Sequence, residues 1–218
     1  MNQLTSAQVA GSCQTDFTYD GKMRLRMRSD YLWNGSALVP TSEIRYIYDG
    51  MLVVQERDYN NNPTVTYTRG TDLSGSLQGA GGIGGLLARS HGYTAGSWTT
   101  HNFYHADGNG NITYLVDSSQ ALAASYKYNP FGGTITSSGT LASANTYRFS
   151  SKEYHSNPGL YCFGYRFYDP NLQRWLNRDP LTEQGHRLLR GACKTCYAAL
   201  RKDVNSYQFC ENSPQHKI

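Results

Sequence analysis

The sequence predicts a mainly β fold, a run of consecutive antiparallel hairpins with a short helical segment near the C-terminus. Three observations predict it. The 218 residues include 22 Gly and 18 Tyr but only 17% charged residues, and leucine stripes at helical spacing are scarce, a balance that favours strands and turns over a bundle. Short alternating runs recur along the chain, each closed by Asp-Gly, Asn-Gly or Asn-Pro. Hydrophobic residues make up only 39%, so tyrosine must supply much of the buried area. Its ring is large and its hydroxyl needs a partner, which suits a half-wet sheet surface.

Residues 1–42 are weakly patterned. Phe17 to Gly21 reads as a strand entering a turn. Lys22 to Arg28 then alternates, Met23, Leu25 and Met27 on one side and Lys22, Arg24, Arg26 and Arg28 on the other. The four cations are an anion-binding face or, in the reading we prefer, one solvated strand face. From residue 43 the signal sharpens. Ile44, Tyr46 and Tyr48 lead to the turn Asp49-Gly50, Leu52 to Arg57 leads out, Asn60 to Pro63 turns again, and Thr64 to Thr68 alternates. Residues 70–97 are glycine-rich. They lack the strand-loop-helix frame of a phosphate cradle and read as a close-packed crossing loop with positive-φ positions. Phe103 to Ala106, the turn Asp107 to Asn111 and Ile112 to Val116 form a hairpin. Asp117 to Ser119 turns, Ala121 to Tyr128 is a strand, and Asn129 to Gly133 turns into a Thr/Ser-rich connection.

The chain is organised around Tyr147 to Leu181, with nine aromatic residues among turn formers. Tyr161, Phe163, Tyr165 and Phe167 lie two apart, so a single extended strand places all four rings on one face. Asn157-Pro158-Gly159 and Asp169-Pro170-Asn171 are turns on either side. Leu172 to Leu176 is a short amphipathic segment, stopped at Asp179-Pro180.

Several function classes are disfavoured. The net charge is +4 with the basic residues dispersed, which gives no nucleic-acid footprint. No apolar run is long enough to span a membrane, and the N-terminus is not a Sec signal. The five cysteines, 13, 162, 193, 196 and 210, are odd in number and irregular in spacing, so they are no disulfide framework. Cys193 and Cys196 form a CxxC for which Cys210 with His186 or His216 would complete a zinc site. No second CxxC or thioredoxin-like frame accompanies it, and we read these cysteines as incidental, with no metal and no cofactor implied. Leu188, Leu189, Ala192, Tyr197 and Leu200 suit a short basic amphipathic helix. The six histidines are scattered, and His105 and His155, beside aromatics, read as packing residues.

One small unit recurs: Tyr19-Asp20-Gly21, Tyr48-Asp49-Gly50, Tyr128-Asn129-Pro130-Phe131-Gly132 and Tyr168-Asp169-Pro170. These units resemble the YD repeats of RHS proteins. Residues 43–181 resemble an RHS-repeat-associated core region through IRYIYDG, FYHADGNGNITYLVD, YKYNPFGG, YRFSSKEYHSNPGLYCFGYRFYDP and LQRWLNRDPL, preceded by YD-like strands in 1–42 and followed by a divergent segment, 182–218. The resemblance implies a β-strip that spirals into a shell enclosing a C-terminal toxin or effector, with the core region as plug. It implies as partners the remainder of that shell or a toxin cargo, and an exported or cell-surface bacterial setting. An incomplete strip leaves open sheet edges through which copies can associate.

The resemblance also implies aspartyl self-cleavage, with Asp179 at the family's first-Asp position and Arg178 as support. Thr182 stands where the family has Gly, and the second motif, DPxGL, is expected after the stretch Asn205 to Pro214, where the sequence ends at Ile218. Aspartyl proteolysis needs two carboxylates sharing a proton. Asp179 alone therefore reads as a turn residue pairing with Arg178 or Arg174, and the chain as structural rather than enzymatic. A third reading, an aromatic face for carbohydrate or a partner surface, competes with ordinary inter-strand packing of the same rings.

Overall fold

The structure is a computed structural model, and it describes residues 3–178. The divergent segment 182–218, with its expected helix and the CxxC, lies outside those residues. Eleven strands form one sheet in sequence order: β1 (Ser6–Val9), β2 (Cys13–Tyr19), β3 (Leu25–Trp33), β4 (Leu38–Asp49), β5 (Leu52–Arg57), β6 (Pro63–Arg69), β7 (Leu86–Thr94), β8 (Ser97–Ala106), β9 (Ile112–Asp117), β10 (Leu122–Tyr128) and β11 (Thr134–Ser138). Each strand is antiparallel to the next, as the hairpin pattern predicts. A 3-10 turn, Phe149–Ser151, leads to a second sheet of four short strands, β12 (Glu153–His155), β13 (Leu160–Cys162), β14 (Phe167–Asp169) and β15 (Arg174–Trp175).

Five turns share one construction, and two of them, at Asp20 and Asn129, fall in the recurring unit. In Asp20–Arg24, Asp58–Asn62, Asp107–Asn111, Asp117–Ala121 and Asn129–Gly133, the first residue's N–H donates to the fifth residue's carbonyl, and the fourth residue's N–H donates back to the first. The first side chain accepts the fifth residue's N–H at 2.8–3.0 Å, an Asx-type cap that explains why Asp or Asn starts each turn. The fourth residue is left-handed every time: Met23, Asn61, Gly110, Gln120 and Gly132. The tyrosines that open three of the recurring units have their own task. Tyr19, Tyr48 and Tyr128 donate to the carbonyls of Leu4, Leu25 and Ile112 at 2.5, 2.7 and 2.7 Å, so each ring packs inward while its hydroxyl ties two neighbouring segments.

These turns shift register at the strand ends, and there the alternation read from the sequence breaks. Between β2 and β3, Thr18 pairs with Met27 and Tyr19 with Leu25, so Arg26 is an extra residue in a β-bulge. Beyond it the faces exchange. Leu25 and Arg28 are both buried while Arg26 is exposed. The expectation that Lys22, Arg24, Arg26 and Arg28 share a solvated face is therefore corrected for Arg28, which is only 8% exposed. The aromatic run is corrected too. Phe163 N–H bonds the Arg166 carbonyl at 2.8 Å and Gly164 has φ +75, so the chain reverses and places Tyr161 and Phe167 on two strands. The rings then divide between two clusters: Phe167 joins the main core, and Tyr161 and Phe163 the cluster of Phe149, Tyr168 and Trp175.

Other expectations are refined. Residues 1–42 hold β1 to β3 and the start of β4, and the Thr/Ser-rich connection includes the exposed strand β11. The glycine-rich stretch connects neighbouring strands rather than crossing the sheet, and its last part is β7. Asp72 organises it by accepting the N–H groups of Ser74, Ala80 and Gly82 at 2.9, 2.7 and 3.0 Å. Leu172 to Leu176 is a turn followed by β15.

Two glycines separate backbone strain from crowding. A Cβ on Gly110 (φ +76) would meet Ile83 Cγ2 at 2.5 Å and Gly84 N at 2.8 Å, whereas one on Gly11 (φ +66) meets nothing within 4 Å. Gly11→Ala should lower stability by about 1–2 kcal/mol, the left-handed penalty alone, and Gly110→Ala by distinctly more; urea unfolding of both variants checks the order.

Candidate functional site

The four-stranded sheet lies against the apolar face of the large sheet. Phe17 of β2 meets Phe167 of β14 at 4.6 Å between ring centroids, and Tyr67 of β6 meets Tyr147 at 4.8 Å. The small sheet sends Leu160 and Phe167 into the large sheet's core and packs Tyr161, Tyr168 and Trp175 with Phe149 in the second cluster.

Within this seam lies a buried charge network. The bulge turns Arg28 inward, where Nε donates to Asp30 Oδ2 at 3.0 Å and Nη1 to Glu153 Oε1 at 2.9 Å. Glu153 arrives from β12 of the small sheet. Tyr46 of β4 donates to the same Glu153 oxygen at 2.7 Å. Asp30 in turn accepts from Thr15 at 2.7 Å and from Ser42 at 2.8 Å. His155, fully buried between Phe17 and Phe167, stands 3.5 Å from Glu153 Oε2, beyond a good hydrogen bond. Next along the sheet Glu56, opposite Tyr46, accepts from Tyr67 at 2.6 Å.

Glu56 and Glu153 titrate in opposite directions. Burial raises Glu56, the nearby Glu153 charge adds to it, and Tyr67 and Arg28 offset only part. Burial would raise Glu153 as well, but His155, the Arg28 guanidinium and the Tyr46 hydroxyl pull it well below the usual carboxylate range. Burial draws His155 down, against the upward pull of the Glu153 carboxylate, and Arg28 is the guanidinium in hydrogen-bond contact with Glu153.

Beside the network a cavity of about 260 Å³ opens between the glycine-rich loop and the small sheet, lined by Tyr48, Arg69, Tyr147, Lys152, Glu153 and Cys162 among others. Burial pushes the Cys162 thiol up to about 12, with the Glu153 charge adding to the effect, so it is a thiol and not a nucleophilic thiolate at neutral pH. Among the described residues, no group of three or more His, Cys, Asp or Glu is placed to hold a metal ion.

Of the residues singled out from the sequence, Asp179 lies outside the described residues. Arg178 is exposed at their end, just after Asn177, which accepts from Phe167 N–H and donates to the Tyr165 carbonyl, both at 2.9 Å. Arg28, Glu153 and Lys152 were missed as a site. The available signal was a Lys-Glu pair inside an aromatic run and an Arg-x-Asp in an alternating strand, but their meeting across 125 residues is set by tertiary packing.

Arg28 is the cation shared by Asp30 and Glu153, and removing it leaves both buried carboxylates without their ion-pair partner. Arg28→Gln should destabilise the chain by about 3–5 kcal/mol, with urea unfolding at pH 7 as the readout. The pair also sets a pH dependence. Glu153 is depressed, so its stabilisation is present above about 4.5 and fades as pH falls toward about 2. Glu56 is raised, so its contribution is present below about 4.5 and is lost as pH rises through about 7. Glu56→Gln should flatten the decline in stability between those two values.

No family model matches the chain. It is 32% identical over 138 residues to the tRNA nuclease WapA of Bacillus subtilis, a match covering 62% of this chain and 5% of that protein. It is 39% identical over 79 residues to the toxin subunit YenC1 of Yersinia entomophaga, covering 34% of this chain and 8% of that one. The chain thus spans a small part of the curated relatives it matches. Among solved structures, TcdB2-TccC3 superposes over 97% of this chain and 10% of its own with a TM-score of 0.61 at 19% identity. The Tc holotoxin pore of Photorhabdus luminescens covers the same 97%, and 9% of its own chain, with a TM-score of 0.62 at 20% identity. The chain is similar in sequence to stretches of bacterial toxins, and its open sheet of consecutive hairpins is a fold it shares with Tc toxin structures.

Proposed function

We propose that this chain is a structural piece of an RHS-type toxin shell: the large sheet is a stretch of its wall, the small sheet is the plug docked on it, and together they help to enclose a C-terminal toxin or effector segment. The observation that carries this reading is the strand order. Eleven strands run in sequence order without a crossover, so the sheet is a strip that further hairpins can extend. The likeness to TcdB2-TccC3 over almost the whole chain supports it. Its partners on this reading are the rest of the shell and the cargo.

In the same reading Asp179 keeps the family's first-Asp position, next to Arg178. A second carboxylate is required before water can be activated, so Asp179 by itself does not supply the catalytic pair.

The test joins further hairpin repeats to the N-terminal side of the full chain and a reporter domain to its C-terminal side. A hollow particle in electron micrographs, with the reporter resistant to trypsin until the particle is denatured, is the expected result. A soluble, open product whose reporter is digested at the rate of the free domain overturns the reading.

A further inference from the structure

Two cations that line the cavity beside the charge network, Lys152 and Arg69, have no carboxylate within ion-pair distance among the described residues. Lys152 Nζ donates to the Gly81 carbonyl at 2.6 Å. Arg69 lies over the rings of Tyr147 and Tyr67, at 5.0 and 5.8 Å, and its Nε bonds the Val53 carbonyl. Both charged ends converge on one peptide. A Cβ on Gly81 would stand 3.3 Å from Lys152 Nζ, and one on Gly82 would stand 3.7 Å from an Arg69 Nη. Among the described residues neither cation forms an ion pair. The acids near the cavity are committed elsewhere. Asp72 caps the loop, Glu153 holds Arg28 and Tyr46, and Asp20 holds Arg24 at 2.7 Å.

We propose that this cavity is a binding site for a small organic anion, a carboxylate or phosphate carried on a flat apolar body. The charged head would sit between Lys152 and Arg69. The body would lie against the Tyr48, Tyr147 and Phe163 rings that line the walls. The volume, about 260 Å³, is near the lower end of small-molecule sites, about 300–1,000 Å³. Two like charges held close and partly out of water repel strongly, and an anion between them removes that repulsion. The titration of Lys152 fits the same geometry: burial, then the Arg69 charge, pushes its ammonium down to about 8, against smaller upward pulls from Cys162 and Asp72. The same chemistry can be offered by a free metabolite or by an acidic side chain of a polypeptide. The site stands on its own residues and does not depend on the shell reading.

The experiment titrates the isotope-labelled full chain with benzoate, phenyl phosphate and the dipeptide acetyl-Phe-Glu-amide, following the Gly81 and Gly82 amide resonances and the Lys152 ammonium. At least one probe should shift both amides saturably and raise the Lys152 pKa. Lys152→Gln should weaken that probe about tenfold or more, the loss of one charge-assisted hydrogen bond, while Lys127→Gln, on the exposed face of β10, should leave it unchanged. Preference for the benzoate or phosphate probe assigns a free small acid, and preference for the dipeptide assigns a polypeptide side chain. Either supports the site. If Lys152→Gln fails to fold, the rise of the wild-type Lys152 pKa on binding decides. Overturning results are the absence of saturable shifts with all three probes, an unmoved Lys152 pKa, or equal weakening by Lys127→Gln.

Discussion

The bond between Arg28 and Glu153 joins the two halves of this molecule. Four strands of two or three residues lie on a larger sheet, with Leu160 and Phe167 entering its core. Apolar contact supplies attraction without direction. The guanidinium of β3 and the carboxylate of β12, with Tyr46, Asp30, Thr15 and Ser42 completing the partners, supply the direction. A buried pair is weak evidence for net stability, because desolvation offsets most of its attraction. Another seating of the small sheet would take the Glu153 carboxylate from its cation, while Arg28 would keep Asp30.

The large sheet repeats one turn at five of its ten connections, from β2–β3 to β10–β11. An Asp or Asn side chain caps its own turn, a left-handed residue closes it, and a register shift follows where the strand resumes. Each hairpin then faces the next, and the connections stay local. A sheet made this way has two ends and no closure among the described residues, with β1 and β11 as its edges. Edges of this kind invite further strands, consistent with a chain that matches only a small share of much longer toxins.

The seam between the sheets is where the chemistry concentrates. On one side the charges are matched and desolvated. On the other, Lys152 and Arg69 share a cavity with Glu153 as the one acid facing it, and that acid is already held by Arg28. The proposed wall-and-plug role and the proposed small anion site therefore fall to different residues of the same seam.

The mainly β class, the order of the hairpins and most turn positions were legible in the sequence, because they rest on local chemistry: Asp-Gly and Asn-Pro stops, alternation within a strand, and tyrosine as an amphipathic filler. The pairs Ile44–Tyr48 with Leu52–Arg57, and Phe103–Ala106 with Ile112–Val116, needed nothing beyond their neighbours. The seam was not legible. Alternation assigned Arg28 to solvent, and a bulge of one residue at Arg26 reversed it; spacing assigned four rings to one strand, and a left-handed Gly164 divided them between two. Bulges and reversals of this kind depend on what the backbone packs against. Most hairpins of the strip are specified within about twenty residues, with β6–β7, from Pro63 to Thr94, the long exception that the glycine-rich loop concealed; which charges are buried depends on how the two sheets pack, because Arg28 and Glu153 meet across 125 residues.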